Sequence, residues 1–357
     1  MSLTNDHWNH LNRSKRLQYL IDCAFLICIA QTKKQAHHGG MSWDNTLNDF
    51  ESILHKVKHL HCDARSLRNK KVIDFLKNLK IDVFEINQNL ELSKQLDRSV
   101  KQWYKNYFVG LENYQTITMP STRNVIFEFI AKYNLKKIKI HKLEYWNKPS
   151  LKLMGVDTEY FESDKDIKEN DFIILGLPLH GNFNSIENLD LFLSDCDRKN
   201  ARVLIDTCWF PLLKDKWQIN FKHKSICSIT CTMSKTFPID GIRSSFRLVP
   251  HNEIHQKDII YNTNKLTSWL MINLLENFNI NFIVNEYKHL QNQWCKHLEL
   301  KPSPSVHNCY ATPDIVQYDE HKVITQDGIA REKFLSLIYI MENSDQIIQK
   351  LGFPNDI

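Results

Sequence analysis

The chain has 357 residues, of which 42% are hydrophobic and 24% charged, and its formal net charge is +5. This composition predicts a soluble globular protein that is long enough for one large and one smaller domain. Lysines and acidic residues are interleaved without a basic block, so nucleic acid is excluded as an expected partner.

The most apolar stretch of the chain, residues 19–30, does not predict a membrane span. It contains Asp22 and stops after about a dozen residues, whereas a transmembrane helix needs roughly 18 or more. Lys15 and Arg16 precede it as in a secretory signal, but the polar residues 31–35 follow where a small-residue cleavage site is required. We therefore expect a buried helix here, and no association with a membrane.

The cysteine and histidine patterns predict neither a disulfide framework nor a metal site. The nine cysteines are odd in number and irregularly spaced, which favours a reducing, cytoplasmic compartment. The histidines at positions 37, 38, 59 and 61 do not have the spacing of a zinc-ligand set. Scattered surface histidines explain them better.

Hydrophobic periodicity divides the chain into three regions. Residues 1–110 are predicted to form a mainly helical N-terminal segment, with helical runs at 47–54 and 72–79. Residues 111–265 alternate strand and helix, a pattern typical of a mostly parallel sheet flanked by helices. Residues 266–357 begin with a long helical stretch and are predicted to end in a small α+β domain from about residue 300.

A turn with two hydroxyl side chains precedes the first helix of the middle region. Ser121 and Thr122 lie at its start, where the unpaired backbone N–H groups of a helix N-terminus suit a phosphate group. Pro120 removes one of these donors but is compatible with a helix start, and Arg123 adds a positive charge. The alternative is that Ser121 and Thr122 only cap the helix.

Two apolar runs of the middle region are followed by polar or aromatic residues. The run 201–206 ends in Asp206, with Trp209 three residues later, and the run 171–175 is followed by Pro178 and His180. Functional residues of parallel sheets gather at the carboxyl ends of the strands. An ordinary cap after the strand explains Asp206 in isolation, but not in combination with the segment that follows.

The segment 231–243 is the most informative part of the chain. It contains Thr232, Ser234 and Lys235, and Arg243 lies eight residues after Lys235. Together with the phosphate turn, the Pro-x-His segment and Asp206, in the same order over residues 115–250, it resembles the cofactor region of fold-type I pyridoxal-phosphate enzymes. The resemblance is to the aspartate-aminotransferase-like, class I/II superfamily.

The resemblance implies a role for each of these residues. It implies that Lys235 carries pyridoxal phosphate as a Schiff base and later moves the α-proton of the substrate. Asp206 pairs with the protonated pyridine nitrogen and keeps the ring an electron sink. His180 stands where the family has an asparagine, and Trp209 where many members have a tyrosine. The other cofactor contacts implied are Ser121, Thr122, Arg123, Tyr145, Thr232, Ser234 and Arg243.

Two assignments have close alternatives. Tyr145 is expected to stack on the pyridine ring, with Trp146 as its rival, although a Tyr-Trp pair after a strand also suits core packing. In the C-terminal region Arg331 is expected to bind the carboxylate of an amino-acid substrate, with Lys333 as the second candidate. A solvated charge on an edge strand is the alternative for both.

The resemblance implies an α/β fold with a large domain, built on a mostly parallel seven-stranded sheet, and a smaller C-terminal α+β domain. The expected protein is a homodimeric transferase of amino-acid metabolism or biosynthesis, an aminotransferase in the first place. The alternatives are a decarboxylase or lyase, an amino-acid oxidase of a biosynthetic pathway, and a binding protein that retains the fold. Retention of Lys235, Asp206 and Arg243 argues against the last alternative, because a protein without chemistry does not need all three.

Overall fold

The computed structural model describes residues 66–144, 148–251, 264–310 and 334–351. These residues belong to two compact units, one spanning Arg68–Val284 and the other including the described residues from Asn285 onward. The larger unit contains a seven-stranded sheet, and the smaller one a two-stranded sheet. The division into residues 1–110, 111–265 and 266–357 stays a prediction.

Three helices open the larger unit, α1 (Lys70–Asn78), α2 (Val83–Gln88) and α3 (Leu92–Tyr104). Asn69 caps α1 by accepting a hydrogen bond from the backbone N–H of Val72, and Asp82 caps α2 by accepting from that of Phe84. Such caps satisfy donors that a helix leaves unpaired at its start. The helical character predicted for this part of the chain is thus observed from Lys70 to Tyr104.

Nine strands follow α3 in the described part of the larger unit, and seven of them form one sheet. The strands are β1 (Phe108–Val109), β2 (Tyr114–Met119), β3 (Lys137–His141), β4 (Asp157–Phe161), β5 (Phe172–Gly176), β6 (Arg202–Asp206), β7 (Ile219–Asn220), β8 (Ile226–Thr232) and β9 (Ser245–Pro250). The sheet order is β2-β9-β8-β6-β5-β3-β4, with β1 and β7 paired separately. Within this sheet β9 runs antiparallel to β2 and β8, and the other pairs are parallel. The mostly parallel seven-stranded sheet is confirmed.

Helices alternate with these strands, and the centres of the strands are buried. The helices are α4 (Thr122–Lys132), α5 (Lys148–Leu153), α6 (Leu189–Arg198) and α7 (Lys265–Asn277). Residues 173–175 of β5 and 203–205 of β6 are fully buried. A parallel strand covered on both faces needs no polar alternation, which explains the continuous apolar runs in the sequence.

The smaller unit comprises most of helix α8 (Phe282–His297), the antiparallel strands β10 (Asn308–Tyr310) and β11 (Phe334–Ser336), and the helices α9 (Ile338–Glu342) and α10 (Ser344–Leu351). Trp294 is fully buried in it, and its Nε1 donates to the hydroxyl of Ser344 over 2.7 Å. Gln291 Nε2 donates to the carbonyl of Ser305 over 2.8 Å. Helices and strands therefore both contribute here, as periodicity indicates.

Six cysteines lie in the described ranges, and all six are buried free thiols. Among the same residues no helix has the length and apolar character that a membrane crossing requires. The described side chains also contain no group of three or more histidines, cysteines or acids that could hold a metal ion.

Tyr104 links helix α3 to the central sheet beneath the strand ends. Its ring is buried and stacks on Phe108, with 4.1 Å between the centroids, and its hydroxyl donates to Cys231 Sγ over 3.0 Å. We expect Tyr104→Phe to lower the free energy of unfolding by about 0.5–1.5 kcal/mol, the net value of one hydrogen bond. Chemical denaturation followed by tryptophan fluorescence measures this change. A variant as stable as the wild type would show that the hydroxyl contributes nothing to stability.

Candidate active site

The carboxyl ends of β3, β5, β6 and β8 meet at one edge of the sheet. Gly176 pairs with Asp206, and Asp206 pairs with Thr230, so the ends of these strands are in register. The antiparallel strand β9 begins at the same edge, because Ser245 pairs with both Thr232 and Met119. The loops that follow or precede these positions carry nearly all the described residues that were predicted to act.

Asp206, the last residue of β6, is a buried carboxylate with one oxygen unsatisfied. Its side chain is 1% exposed, and Oδ1 accepts the backbone N–H of Cys208 over 2.9 Å. Oδ2 is buried and has no hydrogen-bond partner. Burial raises the pKa of Asp206, although the charge of His180 acts in the opposite direction. An unpaired buried oxygen is costly, so this atom is suited to accept a hydrogen bond from a ligand.

His180 and Glu144 form a buried pair next to Asp206. Glu144 is fully buried, its Oε1 accepts the backbone N–H of His180 over 2.9 Å, and its Oε2 is in a short hydrogen bond with Nδ1 of the ring. Burial by itself would lower the pKa of His180, but Glu144 and then Asp206 outweigh it and raise the pKa. The nearby charge of Lys235 acts against this rise. The site therefore contains two buried acids and a histidine whose protonated form is favoured.

Gly176 provides the space for this pair at the end of β5. A Cβ added at Gly176 would lie 2.1 Å from Oε1 of Glu144 and 2.8 Å from Nδ1 of His180. Both distances are far below van der Waals contact, so any side chain here displaces the pair. The glycine is therefore required by close approach.

We expect Gly176→Ala to destabilise the protein by about 1–3 kcal/mol, the usual cost of overpacking a buried position. The displaced Glu144 also loses its hydrogen bonds to His180, which adds to the loss. Thermal denaturation of the purified variant measures the effect. Gly241→Ala is the matched control for the loss of a glycine, since a Cβ at Gly241 meets nothing within 4 Å and Gly241 has no positive φ. A Gly176→Ala protein as stable as the wild type would contradict the expected clash.

Lys235 lies in the short 3₁₀ turn Met233–Lys235 that follows β8, and is half-buried. Its Nζ is 5.4 Å from the centroid of the Trp209 ring, and that ring meets His180 edge to face at 6.5 Å. Lys235 and Asp206 both act electrostatically on the pKa of Cys208, which burial raises well above its ordinary value. The structure thus brings Lys235, Trp209, His180 and Asp206 together, as the sequence predicts.

The predicted phosphate-binding residues lie at the same edge of the sheet. Ser121 caps helix α4 by accepting the backbone N–H of Asn124 over 3.2 Å. Ser121 is therefore a helix cap, and its role in phosphate binding stays a prediction. Thr122 begins the helix and is half-buried, while Arg123 is exposed. A cap leaves other N–H groups of the first turn for a ligand.

The turn after β8 contributes two further hydroxyls. Thr232 Oγ1 donates to the carbonyl of Ser244 over 2.9 Å and lies 2.7 Å from the hydroxyl of Ser234. Arg243 is exposed two residues before β9 begins. Thr232 and Ser234 thus belong to the turn that carries Lys235, with Thr232 as its N-cap, whereas Arg243 reaches the same edge of the sheet from the segment before β9.

Four predicted residues lie outside the described ranges: Tyr145, Trp146, Arg331 and Lys333. Their roles stay predictions. Glu144, in contrast, is not among the residues that the sequence predicts, since the aromatic residues Tyr145 and Trp146 directly after it match the resemblance and an acid at this position does not. The available signal was an acid directly after a strand that ends at the expected cofactor edge, flanked by Leu143 and Tyr145.

No protein-family model and no characterised sequence matches this chain at the level of sequence. Solved structures do. The histidinol-phosphate aminotransferase from Clostridium acetobutylicum is similar over 83% of this chain and 99% of its own, with a TM-score of 0.57 and 16% identity. Substrate-bound BacF from Bacillus subtilis covers 85% of this chain and 94% of its own, with a TM-score of 0.60 and 11% identity. The aminotransferase AspB from Helicobacter pylori covers 81% and 91%, with a TM-score of 0.57 and 15% identity.

These likenesses have low sequence identity but extend over nearly the whole length of each relative. With TM-scores of 0.57 to 0.60 over more than four fifths of this chain, they show a shared fold. The chain therefore has the fold of the fold-type I, pyridoxal-phosphate-dependent aminotransferases.

Proposed function

We propose that this protein is a pyridoxal-phosphate-dependent enzyme that acts on an amino acid, and that transamination is its reaction. The observation that carries the proposal is the unsatisfied Oδ2 of Asp206, buried at the sheet edge where Lys235 also lies. A lysine and an acid in this relation are what a pyridine aldehyde cofactor requires. Pyridoxal phosphate is the cofactor expected of this fold.

The residues present fit that cofactor. Asp206 Oδ2 would accept the hydrogen bond of the pyridine N–H, and Lys235 Nζ would bind the aldehyde carbon as a Schiff base. The phosphate would be held by the hydroxyls and charges at the edge of the sheet: Ser121, Thr122, Arg123, Thr232, Ser234 and Arg243. When bound, pyridoxal phosphate supplies an electron sink that stabilises negative charge on the substrate α-carbon.

Lys235 has two successive tasks in this proposal. It would hold the cofactor in the resting enzyme, and once displaced by the substrate amine its free Nζ could take the proton from the substrate α-carbon and deliver it to a carbon of the cofactor. The Trp209 ring, 5.4 Å from Nζ, restricts the directions in which the amine moves. His180, held by Glu144, places a further donor near Asp206.

Substrate binding rests on residues outside the described ranges. Arg331 is proposed to grip the α-carboxylate by two parallel hydrogen bonds, with Lys333 as its alternative, and Tyr145 or Trp146 to stack on the cofactor ring. A homodimer in the cytoplasm, with a role in biosynthesis, completes the proposal.

A second reaction class is favoured by one observation. The buried His180 has a raised pKa and thus holds a proton beside the site, which an asparagine at this position does not. Such a group suits decarboxylation or elimination, where a proton is delivered to the substrate. The remaining alternatives are oxidation of the amino acid by dioxygen and a binding protein without catalytic turnover.

The experiment begins with cofactor uptake. Purified protein mixed with pyridoxal phosphate is expected to develop the visible absorption of a protein-bound Schiff base, and borohydride reduction should fix the cofactor mass on the peptide that contains Lys235. A colourless protein, or a label on other lysines alone, would overturn the proposal. Addition of a mixture of amino acids then separates the reactions. Keto acid formed without consumption of dioxygen and without release of carbon dioxide or ammonia identifies transamination, because elimination and oxidation both release the amino group as ammonia.

A further inference from the structure

The contact between Glu144 and His180 is the least expected feature of the site. The two residues are 36 positions apart and follow different strands, β3 and β5. The carboxylate engages the histidine twice, with Oε1 on the backbone N–H and Oε2 on ring Nδ1. A carboxylate that binds both the main chain and the ring of one residue fixes the orientation of that ring.

The surroundings show that this contact is built into the fold. Glu144 is fully buried and His180 almost so, with its side chain 9% exposed. A buried carboxylate needs hydrogen-bond partners, and His180 supplies two of them to Glu144. Gly176 leaves the space into which both side chains fit, since any Cβ there would lie 2.1 Å from Glu144 Oε1. Two separate segments of the chain, one after β3 and one at the end of β5, thus build this contact.

The charged groups around His180 determine whether its ring is protonated. Glu144 and Asp206 are the acids that act on it, and Lys235 is the opposing cation. Trp209 closes a further side with the edge of its ring. Because Nδ1 is engaged by Glu144, a hydrogen bond from the ring to a ligand has to come from Nε2.

We infer that Glu144 is a positioning residue that anchors His180 and holds it as a cation within the cofactor site. The inference rests on the proposed function where it concerns the cofactor, and on the contacts alone where it concerns the ring. A positive charge on the His180 ring would disfavour the uptake of another proton by a cofactor bound beside it. The pair therefore regulates the pH range in which the cofactor–lysine linkage is protonated.

The first test needs no cofactor. The imidazoles of the cofactor-free protein are labelled with carbon-13 and titrated by NMR, and His180 is identified as the signal lost in His180→Asn. We expect His180 to titrate above the ordinary histidine value in the wild type, and roughly 1–3 pH units lower in Glu144→Gln, the range for loss of an adjacent opposite charge. A wild-type His180 that titrates at or below the ordinary value overturns the inference, and this measurement does not depend on whether Glu144→Gln folds.

The second test uses the protein loaded with pyridoxal phosphate. The pH midpoint of its visible absorption is expected to rise in Glu144→Gln, because the positive charge lost from the His180 ring lies nearer the cofactor than the negative charge lost with Glu144, which engages Nδ1 on the other side of the ring. In the His180→Asn background the same Glu144→Gln change is expected to leave the midpoint where His180→Asn puts it. A purely structural role for Glu144 would lower the melting temperature and leave both midpoints alone, and an equal shift in the two backgrounds would show that Glu144 acts without His180. Either result overturns the inference.

The two tests also separate this inference from the proposed function. A protein that takes up no pyridoxal phosphate overturns the function and the link to the cofactor, whereas the NMR titration still decides whether Glu144 keeps His180 charged.

Discussion

Lys235→Ala is expected to abolish the visible absorption of the protein-bound Schiff base and to lower the turnover of amino acids at least about 10²–10⁴-fold, the range for loss of a general acid–base group. The loss has two causes. Alanine cannot form the Schiff base, and it leaves no amine at the sheet edge to move the α-proton. Absorption spectra and the conversion of an amino acid to its keto acid measure the two effects separately.

Lys216→Ala is the matched control for this variant. Lys216 lies in the same unit, is half-buried and donates to the carbonyl of Leu213 over 2.6 Å. Burial lowers the pKa of Lys216 to about 7, so its amine is unusually able to react with an aldehyde by accident. We expect its removal to leave the spectrum and turnover unchanged. If Lys235→Ala keeps the spectrum and Lys216→Ala loses it, the cofactor is bound to Lys216, and the assignment of Lys235 is refuted.

Asp206→Asn should reduce turnover roughly 10²–10⁴-fold, since breaking a buried charge pair costs about 3–5 kcal/mol and each 1.36 kcal/mol is a factor of ten. Asparagine matches the size of aspartate but cannot balance the charge of a protonated pyridine nitrogen. The electron sink is therefore weakened while the cofactor still binds to Lys235. Single-turnover measurements with an amino acid that the wild type uses report this effect directly.

The cofactor-free Asp206→Asn protein is expected to behave in the opposite way. Burial raises the pKa of Asp206, so the folded state favours the protonated acid, and its stability falls as the pH rises above the ordinary aspartate value of about 3.9. A neutral asparagine removes this penalty, and thermal denaturation at neutral pH should find the variant at least as stable as the wild type. Asp195→Asn provides the contrast, because Asp195 is a buried acid on helix α6 that pairs with Arg198, the last residue of that helix, and with Lys199, its C-cap. It should lose stability and keep turnover.

Loss of turnover with retained stability in Asp206→Asn would place the acid at the chemistry. Loss of stability with unchanged turnover would instead assign Asp206 to the support of the strand end, and the proposed function would lose the observation that carries it.

Much of the architecture follows from local patterns in the chain. The runs 171–175 and 201–206 are apolar because buried parallel strands have no solvated face, and both are strands in the structure. The sequence also predicts that Asp206 lies at the end of one strand and Lys235 in the turn after another. Parallel strands gather their functional residues at one edge of the sheet. The helix start at Thr122 follows from the Ser121 cap in the same way.

Contacts between segments that are far apart in sequence could not be predicted from local patterns. Gly176 gives no local sign that it makes room for a carboxylate from another strand, because a glycine at a strand end is equally explained by a turn. Glu144 appeared as one acid beside two aromatic residues. Its partner, 36 residues later, depends on β3 and β5 being neighbours in the sheet, and no periodicity within either strand determines that order.

By itself, the sequence determined the strands and helices and the edge of the sheet at which the polar residues lie. It also determined which lysine and which acid the cofactor would need. These features depend on residue type and on spacing along the chain. Only the tertiary structure decided that Asp206 keeps one oxygen unsatisfied and that His180 is held by Glu144. Both depend on which strands are adjacent and on how closely their ends approach. Burial then turns these contacts into chemistry, since a carboxylate removed from water must find a partner or change its pKa.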